Sequence, residues 1–103
     1  MQGQPEPQAD VVVDGRTVTL TTSTVAVDGV VLGLAPRERD LLAALLARPG
    51  AVVAKEQILR AVWGSGSDAH AVEVAVGRLR RRLAPHLDIV TVTRRGYRLT
   101  VSA

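Results

Sequence analysis

The chain has 103 residues, a net charge of +3 and no cysteine, which excludes disulfide frameworks, thiolate metal sites and cysteine nucleophiles. Hydrophobic residues make up 47% of it, enough for the core of one domain, but its only aromatics are Trp63 and Tyr97, so Leu, Val and Ala must supply the burial. No apolar run approaches the ~20 residues of a membrane-spanning helix and no secretory signal is visible, so the expected location is the cytoplasm, with no membrane partner.

Residues 1–10, "MQGQPEPQAD", are polar and rich in Pro and Gln and read as a disordered leader, with a single domain over 11–103. From Val11 to Leu32 the chain is dense in Val and Thr, punctuated by Asp14-Gly15 and Asp28-Gly29. Those dipeptides are hairpin turn signals. The pattern predicts strands near 11–13, 16–21, 24–27 and 30–33, a small antiparallel sheet. Val18, Leu20, Val25 and Val27 lie on its buried face and threonines dominate the other.

A first helix is predicted from Pro36, with an apolar stripe of Leu41, Leu42, Leu45 and Leu46 and a stop at Pro49-Gly50. Val52 and Val53 form a short extended piece. "KEQILRAVWG" is a second helix, with Ile58, Leu59 and Val62 inward and Gly64 at its stop. Asp68 is placed to cap a third helix over about 69–83. There Val72, Val76, Leu79 and Leu83, spaced four, three and four, fall in one sector at ~100° per residue. His70, Val74, Gly77 and Arg81 point roughly opposite with Arg78 beside them, while Arg80 and Arg82 lie on the flanks. Ile89–Thr93 and Tyr97–Val101 are β runs joined by Arg94-Arg95-Gly96, a hairpin with a basic tip. The order of four strands, three helices and a hairpin is an α+β arrangement.

Charge is distributed unevenly. Residues 1–33 hold Arg16 against four acids, whereas residues 74–103 hold seven arginines against Asp88 alone. Four of those arginines crowd into Arg78–Arg82. By itself such a cluster also suits a solvated helix end that complements the macrodipole. A basic helix followed by a basic hairpin, however, fits the major groove and the adjacent phosphates or minor groove of double-stranded DNA. Two histidines, His70 and His86, without cysteine speak against a zinc site. Glu38, Asp40 and Glu73 read as helix acids, and "GSGSD" has neither a nucleophile elbow nor a phosphate-loop pattern. No cofactor, metal, small-molecule ligand or enzymatic activity is expected.

"LAPRERDLLAALLARPGAVVAKEQILRAVWG", "AVEVAVGRLRRRL" and "IVTVTRRGYRL" together resemble the winged-helix DNA-binding domain of OmpR/PhoB-type response regulators, over about residues 11–101. The resemblance implies a winged helix-turn-helix: an N-terminal four-stranded sheet, three helices and a C-terminal wing. It implies an effector domain of two-component phosphorelay signalling. Its third helix would lie in the major groove and its wing at the neighbouring minor groove or backbone. By position, Arg78 and Arg80 match basic contacts of the recognition helix, Glu73 and Val74 its base-facing turn, Thr91 a wing-base phosphate contact and Trp63 a residue near the backbone. It further implies dimers on tandem DNA sites and, through the loop after Trp63, contact with RNA polymerase.

The sequence also departs from the family pattern. Ala35 and Ala54 stand where a Thr or Ser cap is usual, His70-Ala71 replaces an Arg–Thr/Ser pair, Arg39 replaces an aromatic, and the wing basics Arg94 and Arg95 have moved to the tip. "DAHAVEVAVGRLR" with "RRGYRL" is also similar to the winged-helix tail of some actinobacterial uroporphyrinogen-III synthase homologues. Two readings follow: a sequence-specific DNA reader, or a regulatory and protein-interaction module appended to an enzyme. On the first, Glu73, Val74, Arg78 and Arg81 meet base edges. Gly77 lets the helix approach, Arg80 and Arg82 meet phosphates, and His70, Trp63, Thr91, Arg94 and Arg95 complete the interface.

Overall fold

A computed structural model describes residues 8–101 except 23, 65 and 67. Four strands come first: β1 (Gln8–Val13), β2 (Arg16–Thr21), β3 (Val25–Val27) and β4 (Val30–Leu32). They form an antiparallel sheet in sequential order. Asp14 and Gly15 (φ 46° and 86°), and Asp28 and Gly29 (φ 48° and 84°), take left-handed backbone. Two consecutive positive φ values define the turn whose twist matches a two-residue hairpin, which is why Asp-Gly marks both. Asp28 tightens its turn further: Oδ1 accepts from the Thr17 N–H at 2.9 Å and Oδ2 from Arg16 at 3.0 Å.

β1 starts three residues before the sequence-based boundary. Gln8, Ala9 and Asp10 pair with Thr21, Leu20 and Thr19, and Asp10 Oδ1 accepts from Thr19 Oγ1 at 2.8 Å. Cross-strand pairing overrides their weak β propensity. The remaining seven residues of the expected leader lie outside the described residues, as do Ser65 and Ser67 of the loop that the resemblance links to RNA polymerase.

Three helices follow: α1 (Pro36–Leu46), α2 (Lys55–Val62) and α3 (Ala69–Leu83). The wing comprises β5 (Leu87–Val92) and β6 (Gly96–Val101), antiparallel. Thr93, expected in a strand, belongs instead to the turn. The pairing closes at Val92 and Gly96, and Arg94 (φ 64°) takes the left-handed conformation that the turn requires.

One aliphatic core joins these layers. Val13, Val18, Val25 and Val27 of the sheet, the four α1 leucines, Ile58 of α2, the inner face of α3 and Leu87, Ile89, Tyr97 and Leu99 of the wing are all buried in it. Two polar links join the N-terminal sheet to the rest of the fold. Thr100 of β6 donates to Asp14 at the first turn (2.9 Å). Arg39 of α1 donates to the Thr21 carbonyl of β2.

Candidate nucleic-acid interface

α3 begins where Asp68 Oδ1 accepts from the His70 and Ala71 N–H groups at 3.1 and 3.3 Å, the expected cap. Val72, Val76, Leu79 and Leu83 are buried as their spacing predicts. Ala75 joins them, a small residue that a stripe read from large aliphatics passes over. The solvent-facing sides carry His70, Glu73, Val74, Arg78, Arg81 and Arg82, all exposed. Gly77 sits half-buried on the same helix, and a Cβ there would meet nothing within 4 Å. The fold therefore does not demand glycine at 77.

The four clustered arginines have different surroundings. Arg78 and Arg81 project from the exposed side. Arg82 Nε lies 3.7 Å from Glu38 Oε1. Glu38 is buried, and its Oε1 also accepts from the Ala35 N–H at 2.9 Å, so half of a reciprocal cap survives at α1 although Ala35 offers no side-chain acceptor. Arg80 turns toward the wing. Its Nε and Nη2 donate to the Ile89 carbonyl at 3.0 and 2.6 Å, and Nη2 donates to Thr91 Oγ1 at 3.3 Å. At the flank position expected to meet a phosphate, Nε and Nη2 are thus engaged within the protein while the side chain stays 42% exposed.

Two cations belong to this surface that the sequence reading omits. Lys55, the first residue of α2, donates from Nζ to Glu73 Oε2 at 2.8 Å and lies 5.9 Å from the centre of the Tyr97 ring. That hydrogen bond is the main reason the Glu73 carboxyl sits below its usual range and the Lys55 ammonium above its own. Arg37 of α1 stacks 5.0 Å from the Trp63 ring centre, a cation–π contact. Trp63 itself is half-buried at the end of α2. Lys55 and Glu73 are eighteen residues apart, and no local period announces such a pair.

At the wing, Thr91, Arg94 and Arg95 are exposed. They line a cleft with Lys55, Glu56, Val92 and Gly96. The wing is pinned to the helices by Val53, whose N–H and C=O pair with the Tyr97 C=O and N–H at 2.8 and 3.0 Å. Gly96 (φ 141°) passes so close that a Cβ would lie 2.0 Å from the Val53 oxygen. The short extended piece read at Val52-Val53 thus bridges to the wing at Val53. Lys55 connects the two halves of the surface, since it bonds to Glu73 on α3 and lines the wing cleft.

The family model for the C-terminal domain of transcriptional regulatory proteins matches residues 29–99. The chain belongs to this family. The transcriptional regulatory protein CutR of Streptomyces coelicolor is 42% identical over 74 residues, covering 70% of this chain and 34% of CutR. The chain thus corresponds to about a third of that relative. The DNA-binding domain of Escherichia coli CadC superposes with a TM-score of 0.74 at 28% identity, covering 94% of this chain and 95% of that one. The DNA-binding domain of RstA from Klebsiella pneumoniae, solved in complex with the RstA box, shares the fold with a TM-score of 0.72 at 22% identity, over 88% of this chain and 96% of that one. This member of the family has the winged-helix architecture of the OmpR/PhoB-type effector domains. None of these three relatives is a uroporphyrinogen-III synthase, so that narrower resemblance gains no support. Among the described residues, no helix is long and apolar enough to cross a membrane.

Proposed function

We propose that this domain binds double-stranded DNA sequence-specifically, as the cytoplasmic transcriptional effector of a two-component-type response regulator. α3 occupies the major groove and the β5–β6 wing lies at the adjacent minor groove. One observation carries the reading. Once its apolar side is buried, α3 presents Arg78, Arg81 and Arg82, and the wing cleft with Arg94 and Arg95 adjoins it through Lys55. An exposed basic helix side with a basic hairpin beside it suits the major groove and the adjacent phosphates or minor groove.

On this reading Glu73, Val74, Arg78 and Arg81 meet base edges, with His70 at the helix start and Gly77 allowing close approach. Arg82, Arg94, Arg95, Thr91 and the Trp63 indole N–H hold the backbone. Pairing of two domains on tandem sites and contact of the 64–68 loop with RNA polymerase belong to the same proposal. Catalysis does not, since the one buried carboxylate among the described residues, Glu38, is engaged in helix capping.

The test is selection of the domain against random duplexes, followed by fluorescence anisotropy of the enriched site in a salt titration. An enriched motif with affinity that falls steeply in log–log salt dependence is expected. Weak, unselective binding that disappears near ~0.15 M salt would return the arginines to the status of a general electrostatic face.

A further inference from the structure

We propose that Arg80 is a positioning residue, which clamps the wing edge to α3 and fixes the Thr91 hydroxyl as a donor aimed at a DNA phosphate. The proposal rests on the DNA-binding reading above.

In an antiparallel pair, hydrogen-bonded and non-hydrogen-bonded residues alternate along each strand. Tyr97 gives both its backbone groups to Val53, so its partner on β5, Thr91, is a non-hydrogen-bonded one. Two residues along, Ile89 is in the same phase, opposite Leu99. Its N–H and C=O therefore point away from β6, toward the outer edge of β5, where no further strand pairs among the described residues. Ile89 is 1% exposed, so those groups need partners from the protein. Asp88 Oδ1 accepts from the N–H at 2.8 Å, and Arg80 donates twice to the C=O. Asp88 Oδ1 also lies 3.6 Å from Arg80 Nε. The guanidinium fork takes the place of a neighbouring strand, and it is anchored on the recognition helix.

Its remaining reach extends to Thr91. A guanidinium only donates, so the Nη2 contact at 3.3 Å makes Thr91 Oγ1 the acceptor. The hydroxyl proton is then left for another acceptor. Thr91 is exposed at the cleft it shares with Lys55, Arg94 and Arg95, which is where an anionic phosphate oxygen would be drawn. Arg80 therefore acts on DNA through Thr91 and the wing, with its own charge partly answered by Asp88.

A double-mutant cycle tests this, with Arg80→Lys, Arg80→Gln, Thr91→Val and the double variants measured by anisotropy on the selected duplex. Thr91→Val is expected to weaken binding by about tenfold, the worth of one hydrogen bond to a charged group. Arg80→Lys, which keeps the charge but loses the fork, should weaken it at least as much. Each double variant should bind no worse than its Arg80 single variant. Full affinity in Arg80→Lys, or losses that multiply, would mean that Arg80 does not act through Thr91 and would overturn the relay. Should Arg80→Gln fail to fold, the Arg80→Lys cycle gives the same answer. In the free wild-type domain the Arg80 Nε–H should give a resolved, slowly exchanging NMR signal that DNA leaves nearly in place. A fast-exchanging Nε–H, or one that DNA shifts strongly, overturns the clamp. A wild-type domain that binds no duplex overturns the DNA reading as well, whereas normal wild-type binding with multiplying losses overturns the relay alone.

Discussion

Lys55 Nζ stands 2.8 Å from Glu73 Oε2 and joins the first residue of α2 to the second turn of α3. Lys55 holds the carboxyl of Glu73 below its usual range, and Glu73 holds the ammonium of Lys55 above its own. The lowered carboxyl adds stability above its unfolded pKa that is lost as pH falls through the folded value. The raised ammonium adds stability below its unfolded pKa that is lost as pH rises through its folded value. The pair therefore contributes across the neutral range and fades at both extremes. Glu73→Gln is expected to lower the urea midpoint slightly at neutral pH, with the two proteins converging as pH drops through the carboxylate range and as salt rises. A difference that stays constant into acid would mean that the pair is not its source.

Arg78 and Arg82 differ in their neighbours, and their alanine variants should differ accordingly. Arg78→Ala is expected to lose about 1–3 kcal/mol on the selected site and little on random DNA. Arg82→Ala should weaken all duplexes alike and lower the salt slope by about one contact. Equal losses on specific and random DNA in both variants would contradict the assignment.

Gly77 separates fold from function. Because a methyl group added at that position would meet nothing within 4 Å, Gly77→Ala should stabilise the free domain by ~0.5–1 kcal/mol. If α3 lies close to the groove floor there, the same change weakens DNA binding. Denaturation and anisotropy on one variant measure both, and a gain in stability with unchanged affinity would remove Gly77 from the interface.

Gly96 is the opposite case. A methyl group at φ 141° would lie 2.0 Å from the Val53 oxygen, so Gly96→Ala must break the Val53–Tyr97 pairing or distort the turn. A loss of about 2 kcal/mol or more is expected in urea denaturation. A loss well below that would indicate that the wing can shift at little cost.

Ala54 invites repair. Its backbone (φ −68°, ψ 147°) already has the extended geometry of a helix cap, but its side chain offers no acceptor. Ala54→Ser should raise stability by ~1 kcal/mol. No change would mean that the first N–H groups of α2 are satisfied by solvent at no cost.

Where a period or a turn dipeptide carries the information, sequence and structure agree closely. Both Asp-Gly hairpins, the α1 leucines and the span of α3 follow from local rules, because side chains repeating every two or 3.6 residues bury one face. What stayed illegible was long-range. Arg80 looks like any flank arginine until β5 is placed beside it. Lys55 has no local mark that ties it to Glu73, and Gln8–Asp10 look like a polar leader until β2 offers them a register. Arg37 becomes part of the surface only because Trp63 lies beneath it. In each case the deciding neighbour is remote in sequence, beyond the reach of pattern.

The bond pair between Val53 and Tyr97 has a topological consequence. It closes the backbone into a loop, and Lys55, Glu73, the α3 arginines and the wing tip all lie on the segment between its two ends. A segment held at both ends cannot fray from either one, so loss of this bond pair would release α2, α3 and the wing from one another at a single point. The amide hydrogens of Val53 and Tyr97 should then exchange with solvent at one common, slow rate. That rate would time this release.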